Sequence, residues 1–293
     1  MRSAVNFWFR KQFVRPRYGA SNQHLSLEAT DGTRVHAVRL EGPADAVASV
    51  VLVHGITNSA RTPSVYAFAH EVQSWAHVVV VDLRGHGASG GACSFGLHEP
   101  LDVAAAAHAA RQHAPKLPVV LIGTSLGGSA ALLAAADRDL IGGAGVAGVV
   151  AISAPVGIRD DGPKAERLVK LCRTRSGRIV LRAGFRTRIG TEWLDYVDVS
   201  AGMARLAPAF SLIIHDPHER YFGPEHAEAL AAAALEPTEL WWMPGAGHGG
   251  ALLTPAMAAR IGDHVRMRLA PDTPGKEGEV PTPTQESSPP WTH

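Results

Sequence analysis

Residues 117–130 read LPVVLIGTSLGGSA, an apolar run that ends in glycines around a single serine. Residues 119–122 are short-chain aliphatic and uncharged, as in a strand of a parallel sheet that is covered on both faces. The pattern Gly-x-Ser-x-Gly at residues 123–127 then predicts a sharp strand-to-helix turn that presents Ser125. A membrane span competes with this interpretation, because residues 117–136 carry no charge, but the glycines favour division into a strand and a helix.

The same alternation of short apolar runs and helical patterns continues along the chain. Before it, HLSLEAT and TRVHAVRLEG flank Asp31-Gly32 and predict an antiparallel hairpin. Six later runs are strand candidates: VASVVLVHG (47–55), AHVVVVDLRGHG (76–87), LPVVLIGTS (117–125), VAGVVAIS (146–153), FSLIIHD (210–216) and TELWWMPG (238–245). Helices are predicted at 64–74, 97–113, 126–136, 224–233 and 252–269. The order predicts an α/β fold, with a mostly parallel central sheet of about eight strands and helices on both faces.

The chain divides into four predicted regions. Residues 1–21 are a basic aromatic arm, residues 22–154 and 209–270 form the α/β core, and residues 271–293 are a proline-rich tail that we expect to be disordered. Residues 155–208 lack a clean buried strand, which predicts a helical cap inserted before the last core strands. Ligands of open α/β sheets bind outside the carboxyl ends of the strands, so a cap there would cover a site.

Composition excludes some classes of function. The formal net charge of +1 gives no reason to expect a nucleic-acid partner, and two cysteines cannot form a disulfide framework, which favours a cytoplasmic protein. Basic residues are concentrated in the arm and the cap, which leaves open a weak contact with a membrane surface. The sequence gives no oligomeric state.

Neither a cofactor nor a metal site is predicted. The chain lacks a Gly-x-Gly-x-x-Gly motif after its first strand, so dinucleotide binding is unsupported. His215 and His218 lie beside Asp216 and Glu219 and have the residue types of a metal site, but their strand-to-loop placement argues against one.

Four motifs together resemble the α/β-hydrolase superfamily, over about residues 22–269. They are LVHGITNS (52–59), VVDLRGHGASGG (80–91), GTSLGG (123–128) and PGAGHGG (244–250). The resemblance implies that Ser125 is a nucleophile and that His248, on the loop after TELWWMPG, is its general base. Serine needs such a base because its hydroxyl is a weak nucleophile at neutral pH. An elbow serine, where some relatives carry aspartate, disfavours dehalogenase and epoxide-hydrolase chemistry.

Two residues compete for the orienting acid. Family members usually have His-Gly-x-x-Asp at this strand end, and in that register His215 matches the histidine and Glu219 falls on the acid. Glutamate is an accepted variant in this fold. Asp216 is the alternative acid, although its place at the strand end also suits a cap of the following turn. The chain order of serine, acid and histidine agrees with the family.

The resemblance also implies an oxyanion hole, formed by the backbone N–H groups of Ile56 and Leu126. Thr57 and Thr124 are the candidate substrate-binding residues beside it. Supporting roles are expected for His54, which would brace the loop, and for three residues of DLRGHG: Asp82, Arg84 and His86.

These roles predict a serine hydrolase of the esterase or lipase type, which would cleave carboxylic esters through an acyl-enzyme. A thioesterase or acyltransferase on the same triad is the first alternative, and a noncatalytic ligand-binding protein of the same fold is the second. A haloperoxidase or carbon-carbon hydrolase is a more remote alternative. The cap segment raises a further hypothesis, in which Arg173, Arg175 and Arg178 attract anionic or amphiphilic substrates.

Overall fold

The computed structural model of the chain describes residues 15–142, 145–157, 162–192 and 197–270. Within them, eight strands form one sheet in the order β1-β2-β4-β3-β5-β6-β7-β8. The strands are β1 Gln23–Glu28, β2 Arg34–Leu40, β3 Ala48–Val53, β4 Ala76–Val81, β5 Val119–Thr124, β6 Gly148–Ile152, β7 Phe210–His215 and β8 Thr238–Trp242.

Strand direction and register bring the loops of the site to one edge of the sheet. β2 pairs antiparallel with β1 and with β4, and all other neighbours are parallel. In the parallel part, Gly123 pairs with both Val53 and Ala151, so that β3, β5 and β6 end side by side. The carboxyl ends of parallel strands are where ligands bind in this class of sheet.

Helices cover both faces of the sheet. The α-helices of the described residues are α1 Pro63–Val72, α2 Glu99–His113, α3 Leu126–Ala136, α4 Arg138–Ile141, α5 Pro163–Arg173, α6 Arg175–Phe185, α7 Pro224–Ala233 and α8 Pro255–Leu269. Alternating side chains of each strand point to opposite faces, and β3 shows the division: Val50 and Leu52 belong to the core under α1 and α8, whereas Val51 and Val53 belong to the core under α2 and α3. Burial on both faces explains why the central strands, β3 to β7, are largely aliphatic.

The predicted fold class is confirmed, including the hairpin of β1 and β2 and the number of strands. Helix α8 begins at Pro255, later than the predicted 252, because residues 249–251 form a separate 3-10 turn and Thr254 caps the helix by accepting from Met257 N. Helix α2 begins at Glu99, whose carboxylate accepts from the backbone of Ser94 and Gly96.

The predicted cap interval contains helices α5 and α6 and a 3-10 helix at Ser200–Leu206. Below we call α5 and α6 the insertion helices. Of the predicted arm, residues 15–21 are described: Tyr18 is buried, and its hydroxyl donates to the carbonyl of Ala60 at 2.8 Å. Residues 1–14 and the tail at 271–293 lie outside the described residues, and the division into arm, core, cap and tail stays a prediction. No helix of the described part is long and apolar enough to span a bilayer.

Candidate active site

The serine of the opening motif sits on a strained turn between β5 and α3. Ser125 has φ 50° and ψ −123°, a backbone conformation that residues other than glycine rarely adopt. Its backbone N–H donates to the carbonyl of Ile152 at 2.8 Å, which ties the turn to β6. The flanking glycines are required by space: a Cβ on Gly123 would lie 2.3 Å from the carbonyl oxygen of Gly127, and one on Gly127 would lie 2.5 Å from that of Val53.

Three predicted residues form one hydrogen-bonded chain at the carboxyl edge of the sheet. The Ser125 hydroxyl lies 3.0 Å from Nε2 of His248, and Nδ1 of His248 lies 2.9 Å from Oε1 of Glu219. A carboxylate can only accept, so Nδ1 carries the proton and Nε2 is free to accept from the serine. This is the geometry that general-base activation of a serine requires.

Glu219 is held as an anion by the groups around it. Burial would raise the pKa of its carboxyl, but hydrogen bonds from His248 and from the backbone N–H groups of Tyr221 and Phe222 outweigh burial, and the pKa lies below its usual value. Its side chain is fully shielded from solvent. A buried negative charge fixed beside Nδ1 orients the imidazole and stabilises it when it becomes protonated.

The alternative acid, Asp216, forms hydrogen bonds with backbone groups. Its carboxylate accepts from the backbone N–H groups of His218 (2.9 Å), Gly245 (3.2 Å) and Gly247 (2.7 Å). Burial raises the pKa of Asp216, but these bonds lower it further, and the net shift is downward. Asp216 therefore bonds the turn that follows β7 and the loop that carries His248, and it makes no hydrogen bond to the imidazole.

Two aromatic rings and a second serine hold His248 in place. The Tyr221 ring lies 4.4 Å from the imidazole, centroid to centroid, and the Phe222 ring lies 5.7 Å from it. Burial and the nearby Glu219 charge raise the pKa of Tyr221, so its hydroxyl keeps its proton. On the other side, the Ser153 hydroxyl accepts from the N–H of Gly249 at 3.1 Å. These contacts fix the orientation of the imidazole and of the loop that carries it.

The predicted oxyanion loop packs directly against the serine. A Cβ on Gly55 would lie 3.2 Å from Cβ of Ser125, which shows how closely the loop after β3 approaches the turn after β5. Ile56 and Leu126 line the same cavity as Ser125, as do Thr57 and Thr124. Leu126 is the first residue of α3, where backbone N–H groups have no partner inside the helix.

Two buried histidines fix the shape of that loop. His54 donates from Nδ1 to the carbonyl of Gly55 at 2.8 Å and accepts at Nε2 from Leu83 N. His86 accepts at Nε2 from the N–H of Thr57 at 3.3 Å. Burial, reinforced by repulsion from His54, lowers the pKa of His86 to about 3, so it stays neutral and can accept. Thr57 itself has φ 63°, a strained conformation that these contacts hold.

The DLRGHG residues tie the next loop to the sheet. Asp82 is buried and accepts from Ala60 N at 2.7 Å and from Nδ1 of His36 at 2.9 Å. Arg84 forms a two-pronged ion pair with the buried Asp102, with contacts of 2.8 and 3.0 Å. These positions are those of structural supports, as the sequence motif predicted.

A cavity of about 980 Å³ opens over Ser125 and His248. Its lining is mostly apolar, and the insertion helices contribute Ala165, Leu168, Val169, Leu171, Leu181 and Phe185. The arginines that the sequence suggested for substrate attraction, Arg173, Arg175 and Arg178, are not among the lining residues, and the first two are exposed. A cavity of this size and character is typical of sites for small, partly apolar ligands.

The structure gives the candidate metal ligands other partners. Nε2 of His215 bonds the carbonyl of Phe222 at 3.3 Å, and the carboxylates of Asp216 and Glu219 are used as described above. In the described part of the chain, a different trio, Glu41, His77 and His113, brings three ligand atoms within 4.8 Å of one another. It lies at the start of β4, at the opposite edge of the sheet from Ser125, and the three side chains already contact one another at 2.8 and 3.3 Å.

Sequence reasoning missed several residues of the site. Tyr221 and Phe222 come two and three residues after Glu219, and their aromatic character near a candidate acid was the available signal. Ser153 directly follows β6, as Ser125 directly follows β5, in the recurring position of a polar residue after a buried strand. Lys164 lines the cavity from α5, and nothing in its local sequence distinguished it from its basic neighbours.

A mostly parallel sheet, covered by helices on both faces, with a strained serine after β5 and a histidine loop after β8, defines the α/β-hydrolase class. A family model described as Hydrolase_4, serine aminopeptidase S33, matches residues 44–222, and the chain belongs to that family. Comparison with curated proteins gave no match.

Solved structures of esterases and serine hydrolases share the fold. The esterase Pf2001 of Pyrococcus furiosus superposes with a TM-score of 0.66 at 15% identity, over 88% of this chain and 98% of that chain. The esterase RhEst1 of Rhodococcus sp. ECU1013 gives 0.63 at 17%, over 85% and 98%. XC6422 of Xanthomonas campestris, described as a serine hydrolase without lid, gives 0.58 at 18%, over 88% and 100%.

Proposed function

We propose that the protein is a serine carboxylesterase that forms an acyl-enzyme on Ser125. His248 takes the serine proton as the hydroxyl attacks the ester carbonyl, and it returns that proton to the departing alcohol. The N–H groups of Ile56 and Leu126 stabilise the oxyanion, and Thr57 and Thr124 border the bound ester. Water, activated by the same histidine, then releases the acid. The observation that carries the proposal is the hydrogen-bonded chain from Ser125 through His248 to Glu219 beneath an apolar cavity.

The cavity lining favours esters over the peptides that the family description mentions. An aminopeptidase must accept a positively charged α-amino group, and a carboxylate is the usual partner for one. Among the described residues that line the cavity none is Asp or Glu. We therefore expect p-nitrophenyl esters to be cleaved much faster than aminoacyl p-nitroanilides.

Labelling with a fluorophosphonate probe tests the nucleophile. We expect labelling of the wild type, none of Ser125→Ala, and retained labelling of Ser129→Ala. Ser129 is a matched control because it lines the same cavity, whereas its hydroxyl donates to the carbonyl of Pro155 at 2.7 Å. Loss of label in both variants, or in neither, would contradict the assignment.

Turnover of p-nitrophenyl esters of graded chain length measures the acyl pocket, and matched thioesters and an added alcohol acceptor test the alternatives. A higher kcat/KM for thioesters, or transfer to the acceptor in place of water, would identify the thioesterase or acyltransferase. An unlabelled protein that binds esters without turnover would be the noncatalytic alternative.

We also propose a weak contact with a membrane surface and a cytoplasmic location. Ile179 and Val180 are exposed on α6 (67% and 53%) among arginines, which suits weak contact with an anionic membrane surface. Sedimentation with anionic vesicles, compared between the wild type and Ile179→Ser, tests the membrane contact; equal binding would refute it.

Cys93 and Cys172 are both free, in agreement with a cytoplasmic location.

A further inference from the structure

One lysine of the insertion helices faces the cavity. Lys164, in the first turn of α5, is the one Lys or Arg among the described lining residues, and no Asp or Glu accompanies it there. Its ammonium lies 5.1 Å from the centre of the Tyr221 ring, and that ring lies 4.4 Å from the imidazole of His248. The ammonium of Lys164 and the imidazole of His248 therefore both lie against the ring of Tyr221.

The ammonium has no negative partner in the described chain. Glu166, the acid nearest in sequence among the described residues, pairs with Lys170 on the same helix. The contact that Lys164 does make, over the face of Tyr221, is a cation–π contact, which orients the charge without neutralising it. A cation at the mouth of an apolar cavity, without a carboxylate, is a recognition group for a substrate anion.

The surrounding charge acts in the same direction. Residues 159–188 contain ten Lys and Arg and three acids, which are Asp160, Asp161 and Glu166. The potential over the insertion helices is therefore positive, and it raises the local concentration of anions at the cavity mouth. The arginines of the insertion helices contribute to this potential without lining the cavity. Lys164 is the one basic residue of these helices that borders the cavity.

We propose that the cavity selects esters whose acyl chain ends in a carboxylate, and that Lys164 binds this carboxylate while the chain lies against the apolar lining. One ammonium balances the single charge of a carboxylate, whereas a phosphate monoester carries nearly two. The substrates would be monoesters of medium-length dicarboxylic acids. This proposal rests on the proposed esterase function and specifies its substrate class.

A pair of substrates that differ in charge alone provides the test. Mono-p-nitrophenyl adipate and its methyl-capped counterpart have the same chain, so the ratio of their kcat/KM values isolates the effect of the charge. We expect the wild type to favour the charged ester by about tenfold, the factor that 1.4 kcal/mol represents. The ratio should fall to about one in Lys164→Gln and below one in Lys164→Glu. Lys170→Gln is the control, because Lys170 lies on the same helix and is paired with Glu166.

A ratio that is unchanged in Lys164→Gln, or reduced equally in Lys170→Gln, would overturn the proposal. Failure of the esterase assignment is a separate outcome, because then neither ester is cleaved and the fluorophosphonate probe does not label Ser125. Binding still tests the lysine in that case: calorimetric titration of Ser125→Ala with monomethyl suberate and dimethyl suberate should show tighter binding of the monoanion by about tenfold, lost on adding Lys164→Gln. Equal binding of the two esters would refute the role.

Discussion

Replacing each of the two neighbouring carboxylates by its amide should separate catalysis from loop structure. In Glu219→Gln, one oxygen remains for three donors, which are Nδ1 of His248 and the N–H groups of Tyr221 and Phe222. The charge that stabilises the imidazolium is lost in either orientation of the amide. If the NH₂ group faces Nδ1, the imidazole also adopts the wrong tautomer and cannot accept the serine proton.

The size of the effect follows from the geometry. With charge centres about 4 Å apart and an effective dielectric constant of about 20, the carboxylate stabilises the imidazolium by ~4 kcal/mol, or ~10³-fold in rate. The wrong tautomer brings the loss to ~10⁴-fold. We therefore expect kcat of Glu219→Gln to fall by 10³- to 10⁴-fold, with KM changed little.

Asp216→Asn should give the opposite profile. The amide oxygen can still serve His218 and Gly245, but the NH₂ group then faces the N–H of Gly247 and leaves that donor unpaired. We expect a loss of about 1–3 kcal/mol in the free energy of unfolding. The fall in kcat should be within about tenfold, since displacement of His248 is indirect.

Steady-state kinetics on p-nitrophenyl butyrate and urea unfolding of both variants provide the measurements. The assignment of Glu219 would be refuted by a larger loss of kcat in Asp216→Asn than in Glu219→Gln. Thermal unfolding of both variants shows whether a lost rate reflects lost structure.

Three other predictions concern the supports of the site. Gly127→Ala should inactivate and destabilise the protein, because the added Cβ would meet backbone at 2.5 Å, whereas Gly184→Ala, in open space on α6, should be neutral or stabilising by up to about 1 kcal/mol in urea unfolding. His86→Ala should lower kcat by about tenfold with little change in KM, because Thr57 loses the acceptor that holds the oxyanion loop; an unchanged kcat would remove His86 from the support of that loop. The pKa of Glu219 is lower in the folded protein than in the unfolded chain, so its ionised form contributes stability above pH ~4.3 that is lost as pH falls through the lower folded pKa. The stability difference between the wild type and Glu219→Gln should thus be constant near neutral pH and shrink below pH ~4, and a difference that grows on acidification would contradict the sign of the shift.

The fold and the nucleophile could be read from sequence because both are encoded locally. Six aliphatic runs predicted six of the strands. Gly123 and Gly127 flank Ser125 because backbone atoms of the turn and of β3 leave no space for a Cβ at either position. His248 was predicted from the resemblance of PGAGHGG to the family motif, and its small neighbours let the loop approach the elbow. Local sequence therefore predicted the turn at Ser125, and the family resemblance supplied the other candidate residues.

What sequence could not decide depends on long-range contacts. Asp216 and Glu219 are three positions apart on one loop. Only the packing of residues 245–248 against that loop decides that Asp216 accepts from backbone N–H groups and that Glu219 bonds the imidazole of His248. The cavity-facing position of Lys164 likewise depends on how the insertion helices lie over the sheet. No periodicity in a helix with cations at 164, 167, 170 and 173 distinguishes the one that borders a ligand site.

Backbone strain gives an independent argument that this edge of the sheet is the functional one. Thr57, Ser125 and Ser153 have φ values of 63°, 50° and 51°, and they follow β3, β5 and β6, three adjacent strands. Each strained residue costs about 1–3 kcal/mol and persists only where surrounding contacts impose it. Here the contacts are the His86 ring for Thr57, the Ile152 carbonyl for Ser125 and the Ile214 carbonyl for Ser153. Three of the five non-glycine residues with positive φ in the described chain thus lie where the loop after β3, the serine and the loop of His248 meet. This supports the proposal that the fold holds an oxyanion-binding geometry in advance.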